Sequence, residues 1–286
     1  MFTFFKNFIR KIIPEFLYKK LSNSIILRKY LGQMNLVTNF GYIGIYNNQK
    51  DLKEDLLRKK VSETIGNNDT NQEHVNIQIE RNRNNANDFK NNARITWNER
   101  ESFLCHALTF FPSKEINVLD VGGGLKPCYF TLNYSLTQKI KCHVIEFENI
   151  VKGAKEIYGN IQDLTYSSNY PENKTFDVVY FGSSIQYFDD LSGLFEKIKN
   201  YQPRLIVFSY SSFAEEHETF TTGAYTFHRK FITPTTVYNI NEFIDFFSRN
   251  NYQLKHKSLM QKYDLTITNS LGVKTRTYNL VFENEV

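Results

Sequence analysis

Cysteine is scarce in this 286-residue chain: Cys105, Cys128 and Cys142 are the full set, and no two stand in CxxC spacing. Disulfide frameworks and zinc ribbons need cysteines paired at short spacing, so neither is expected, and a reducing cytoplasmic setting fits. No run reaches the roughly 18 consecutive apolar residues of a membrane-spanning helix. The apolar start of the chain is interrupted by Lys6, Arg10 and Lys11, so no apolar stretch of a secretion signal is expected there. Internal repeats are lacking. Charge of one sign is also in short supply, with a formal net of +5, which argues against a dedicated nucleic-acid binder. Aromatic residues, in contrast, are abundant. With 25 Phe, 18 Tyr and 41% hydrophobic residues, the chain has material for one large core, with room for a smaller appendage.

Much of the positive charge lies in residues 1–31, where Lys6, Arg10, Lys11, Lys19, Lys20, Arg28 and Lys29 face Glu15 alone. Phe2, Phe5, Ile9, Ile12, Ile13, Phe16 and Leu17 recur there at helical spacing, and Pro14 divides the stretch into two helices. Such a basic amphipathic face suits an anionic membrane or a membrane-bound partner, and equally the surface of a globular body. Asp51–Glu63 reads as a solvated helix, and the asparagine-rich stretch from Gly66 to Asn92 as a linker. Residues 1–92 are therefore expected to form a helical extension and linker, and residues 93–286 a single α/β domain.

In that domain a helix over Trp97–Phe111 is stopped by Pro112. Apolar strand-like runs then alternate with helical stretches, as in a parallel sheet with crossover helices. The strands are expected at Asn117–Val121, Lys141–Glu146, Leu164–Ser167, Asp177–Gly182 and Leu205–Tyr210. The helices fall at Phe130–Leu136, Ile150–Tyr158, Leu191–Asn200 and Ile240–Asn250. Tyr252–Met260 and Thr277–Asn284 alternate like an antiparallel pair joined near Gly272. The expected class is a Rossmann-like, mostly parallel α/β sheet with an antiparallel C-terminal strand.

The segment Asn117-Val-Leu-Asp-Val-Gly-Gly-Gly-Leu125 sends an apolar strand into a triple glycine. Gly122, Gly123 and Gly124 allow a sharp turn and close approach of a ligand to the backbone. A dinucleotide fingerprint would place its last glycine where Pro127 stands, and the GK[ST] ending of a phosphate loop is missing. Asp120, at the strand end, suits a cationic ammonium. Glu146 closes the next strand at the distance where an acid accepts bonds from ribose hydroxyls. Together these point to an adenosyl cofactor with an ammonium group, S-adenosyl-L-methionine. After the fourth strand, Ser183, Ser184, Gln186 and Tyr187 reach the same edge. Ser183 and Gln186 are candidates for the cofactor's methionine part or for a substrate near it, against a purely structural role in capping the next helix. His217, flanked by acids, and His228, among aromatics, are the candidate general bases. His143 and His106 read as structural.

The runs VLDVGGGLKPCYF (118–130), HVIEFENIVKGA (143–154) and DVVYFGSSIQYFDDL (177–191) together resemble a class I methyltransferase family associated with bacterial surface-polysaccharide gene clusters. Asn39–Tyr46 is similar to an aromatic-glycine element that precedes the domain in that family. Lys126-Pro127 departs from the family's further glycine, and the segment after the fifth strand matches only loosely. The resemblance implies S-adenosyl-L-methionine as cofactor and a carbohydrate or nucleotide-sugar acceptor, hence O-methylation; the expected setting, from composition and charge, is cytoplasmic, with membrane or partner contact through residues 1–31 left open. A non-catalytic cofactor-binding scaffold of a glycan-assembly complex is the alternative that Lys126-Pro127 keeps open.

Overall fold

The computed structural model describes residues 40–58, 64–65, 72, 75–80, 82–83, 99–109, 111–226, 231–260, 267–268 and 273–285. The expected helices of residues 1–31, His228 and the turn at Gly272 lie outside the described residues. The central sheet holds β3 (Glu115–Val121), β4 (Lys139–Ile145), β5 (Leu164–Ser167), β6 (Val178–Gly182) and β7 (Leu205–Ala214). These run parallel in the order β5-β4-β3-β6-β7. Beyond β7, β12 (Lys274–Asn284) runs antiparallel to it and β10 (Tyr252–Leu259) antiparallel to β12. Only β12 is therefore reversed relative to the rest of this set. The order is that of the Rossmann-like class I methyltransferase fold, in agreement with the expected class.

The strands read as apolar runs because helices cover both faces. On one face, α2 (Glu99–Leu108), α3 (Tyr129–Ser135) and α4 (Glu148–Tyr158) pack over Ile116, Val118, Ile140 and Val144. On the other, α5 (Leu191–Lys199) and α6 (Ile240–Arg249) pack over Leu119, Val121, Ile206 and Phe208. Alternate residues of β3 thus feed opposite cores, with period two. Asn239 starts α6 by accepting the Asn241 and Glu242 amides, and Asp190 does the same for α5 through Gly193 N–H at 2.8 Å.

Three features depart from the expected elements. First, β7 runs on past Tyr210 to Ala214. Its flank towards β6 is occupied as far as Ser209, so the projecting end is available to pair again. Second, it pairs there with β9 (Phe231–Asn239), through Phe213–Tyr238 and Ala214–Asn239. β9 pairs with β8 (Phe220–Thr226), and β8 with β1 (Phe40–Tyr46), both antiparallel. A short β2 (Thr64–Ile65) joins β9 in parallel. Third, the helix expected at 51–63 is α1 (Gln49–Arg58), and it is not solvated all round. Leu52 and Leu56, four apart on one face, are buried, and Asp55 accepts the Tyr46 hydroxyl at 2.6 Å. Val75 and Ile79 also join the first core, over Gly153, where a Cβ would lie 2.7 Å from Ile79.

Candidate functional site

At the carboxyl end of β3 the chain bends through Gly122 (φ +77°) and Gly124 (φ +62°), a conformation that side-chain-bearing residues rarely adopt. A Cβ on Gly122 would sit 2.6 Å from that of Ser184, and one on Gly123 would sit 2.5 Å from the Asp120 carboxylate. The glycines therefore let the tips of β3 and β6 close on one another and the bend fold back over Asp120. The bend is also held from outside. Gly122 N–H donates to Ile145 C=O at 2.9 Å. The Tyr158 hydroxyl donates to Leu125 C=O at 2.7 Å, and the Tyr166 hydroxyl to Gly124 C=O at 3.2 Å. Neither tyrosine stands out in the sequence, since each reaches the bend only through the packing of α4 and β5.

Glu146, just past β4, points at the bend. One carboxylate oxygen accepts Gly124 N–H at 3.0 Å and the other accepts Phe147 N–H at 2.9 Å. The side chain is half-buried. Asp120 is buried at 1% exposure. Its Oδ2 accepts Cys128 N–H at 2.8 Å, while Oδ1 has no partner among the described residues. Burial pushes this carboxyl above the usual range, against the pull of the Cys128 amide and the nearby Arg100 guanidinium. Arg100, on α2, donates to Gly182 C=O at 3.0 Å and pairs with Glu101 at 3.1 Å. Cys128 and Cys142 lie beside Asp120, with ligating atoms within 4.8 Å of one another. Burial raises both thiols, so they sit protonated in the core rather than as thiolate ligands.

Ser184, buried after β6, donates to Val121 C=O. Ser183 turns the other way: its amide donates to Ser209 C=O at 2.9 Å and its hydroxyl to Tyr210 C=O at 2.7 Å. Gln186, in the 3₁₀ turn Ile185–Tyr187, donates through Nε2 to Ser183 C=O. The fold thus brings Asp120, Gly122, Gly123, Gly124, Glu146 and Ser184 together, with Ser183 and Gln186 one strand further along.

His217 is not among them. It follows β7, which projects five residues past Ser209 to Ala214, about 17 Å of strand. There its Nδ1 donates to Glu218 C=O at 2.8 Å and its ring meets Phe220 edge-on. His143 is structural, with its ring nitrogens 2.7 Å from the Thr165 and Ser167 hydroxyls.

No known protein-family profile matches this chain, and neither does any curated protein sequence. Solved structures do show a likeness. Geranyl diphosphate C-methyltransferase from Streptomyces coelicolor, in complex with Mg2+, geranyl diphosphate and S-adenosyl-L-homocysteine, is 8% identical with a TM-score of 0.47, over 64% of this chain and 79% of its own. A methyltransferase from Geobacter sulfurreducens in complex with S-adenosyl-L-homocysteine is 12% identical with a TM-score of 0.45, over 66% of this chain and 92% of its own. The 1,6-didemethyltoxoflavin-N1-methyltransferase of Burkholderia thailandensis is 8% identical with a TM-score of 0.45, over 86% and 94%.

Proposed function

We propose that the protein is an S-adenosyl-L-methionine-dependent methyltransferase that O-methylates a sugar or sugar-linked group. The observation that carries this reading is the contact between the glycine bend and the Glu146 carboxylate across neighbouring strand tips. The donor set suits that cofactor. Asp120 Oδ1 is a buried acceptor in need of a donor, and an ammonium supplies one. Glu146 is half-buried, and a carboxylate can accept about four bonds, enough for ribose hydroxyls beside the Gly124 and Phe147 amides. At Gly124 nothing lies within 4 Å of where a Cβ would stand, so the backbone there is open to close approach by a ligand. When bound, the cofactor supplies an electrophilic methyl group on a sulfonium.

The chain's own task is then alignment, because displacement at that carbon gains most from fixing donor and acceptor in line. Ser184 locks the tip of β6 against β3, and Tyr158 and Tyr166 hold the bend in place. His228, in the connection between β8 and β9, is the proposed general base for a hydroxyl acceptor. His217, just past the far end of β7, is the second candidate. A cytoplasmic site of action, with residues 1–31 as a contact for membrane or partner, completes the reading on the strength of their basic amphipathic pattern.

Calorimetric titration with S-adenosyl-L-homocysteine tests it. Binding to the wild-type protein is expected, and Glu146→Ala is expected to weaken it by roughly 1–3 kcal/mol, the scale of charge-assisted hydrogen bonds. Equal affinity in the two proteins would remove Glu146 from the site.

A further inference from the structure

The carboxyl edge of the sheet has a lateral order, and the side chains after β6 divide along it. Ser184 faces β3: its hydroxyl meets Val121 C=O, and its Cβ fills the space beside Gly122. Ser183 faces β7, through the Ser209 and Tyr210 carbonyls. An adenosyl cofactor held by Glu146, the bend and Asp120 takes the β4–β3 side. The β6–β7 side remains.

Three observations mark that side as built for a ligand. Gln186 Oε1 is buried and has no partner among the described residues. Its amide cannot turn over, because Nε2 is committed to Ser183 C=O and a flip would set two acceptors against each other. The second is backbone strain. Ser183 (φ +61°) and Tyr210 (φ +53°) are both left-handed and face each other across the strand tips. Such strain in residues other than glycine gathers at functional sites. It is held by neighbouring side chains: Asn279 of β12 accepts the Tyr210 amide at 3.0 Å. The third is cover, for the turn carrying Gln186 rests against β9 of the added sheet.

We infer that Gln186 and Tyr210 form the acceptor subsite, with Gln186 Oε1 accepting a hydrogen bond from a hydroxyl of a nucleotide-linked sugar. This rests on the methyltransferase reading and assigns Ser183 and Gln186 to the acceptor, not to the cofactor. A neutral amide oxygen orients a neutral hydroxyl and does not remove its proton. Tyr187, 45% exposed on the same turn, offers an aromatic surface to the apolar face of a sugar ring.

The test uses the full chain and the variants Gln186→Met and Tyr210→Ala. Affinity for S-adenosyl-L-homocysteine is measured by calorimetry. Methyl transfer from labelled S-adenosyl-L-methionine is measured on a pool of UDP-glucose, UDP-galactose and UDP-N-acetylglucosamine. The wild type is expected to methylate the pool. Gln186→Met should keep its cofactor-product affinity within twofold and lose at least tenfold in transfer, and Tyr210→Ala should raise the acceptor KM more than it lowers kcat. If Gln186→Met melts early, Gln186→Asn, which retracts the amide by one methylene, takes its place. A tenfold loss of S-adenosyl-L-homocysteine affinity in the Gln186 variant would return the residue to the cofactor. Undiminished transfer would remove it from the acceptor subsite. A wild type that binds S-adenosyl-L-homocysteine but leaves the pool unmethylated overturns the nucleotide-sugar assignment. A wild type that binds none overturns the methyltransferase reading itself.

Discussion

Gly122 and Gly124 share a left-handed backbone but differ in what surrounds them. An alanine at 122 meets the Ser184 Cβ at 2.6 Å, whereas nothing lies within 4 Å of a Cβ at 124. Gly124→Ala should therefore cost only the backbone term, about 1–2 kcal/mol, and Gly122→Ala distinctly more. Urea denaturation of the two variants checks the ranking, and equal midpoints would contradict the close approach of β6 to the bend. His143 makes a second prediction. Burial, with a smaller push from Lys174, lowers its folded value from 6.5 to about 4. Between those values the unfolded chain binds the proton and the folded chain resists it, so this contribution to stability is complete above pH 6.5 and fades as pH falls towards 4. Unfolding midpoints measured from pH 7 to 4 should drop less steeply in His143→Gln than in the wild type. At this scale Asp120, the glycines and Glu146 were legible because strand-end chemistry follows chain order. Tyr158 and Tyr166 were not, because their hydroxyls reach the bend across a fold that no local pattern encodes.

Helix α6 shows how an element is fixed twice. Its start is set by the Asn239 side chain, and its inner face by Phe243 and Phe247, which pack on Phe208 and Phe282 with ring centroids 4.7–6.3 Å apart. Asn239→Ala should cost about 1 kcal/mol and Phe247→Ala about 3–5 kcal/mol, both read from chemical unfolding. If the Phe247 variant lost no more than the cap variant, the aromatic cluster would not be the element's main support. The 3.6-residue period of such helices and the apolar runs of the buried strands made β3 to β7 and their helices visible, to within a few residues at each end. The pair β8 and β9 escaped for a physical reason. Thr221, Thr222, Thr235 and Thr236 are buried there, and threonine at core positions hides the alternation that apolar residues would display. Strand β1 escaped because its partner lies some 180 residues away in the chain, Phe40 opposite Thr226.

The described residues form a Rossmann-like sheet with a second, smaller sheet attached at the carboxyl end of β7. Residues 40–46 and 75–79, on the N-terminal side of the boundary expected at residue 92, contribute to that sheet and to the core. The attachment lies at the end of the parallel strands where α/β sheets bind their ligands, which gives the added strands a position suited to covering an acceptor. The described helices include none long and apolar enough to cross a membrane. A crystal structure of the full chain grown with S-adenosyl-L-homocysteine tests the central claim most directly. The ligand is expected with its ribose against Glu146, its amino group against Asp120 and its backbone side along Gly122–Gly124. Density for the ligand elsewhere on the protein, with no ligand atom within hydrogen-bond distance of the Glu146 carboxylate, would contradict it.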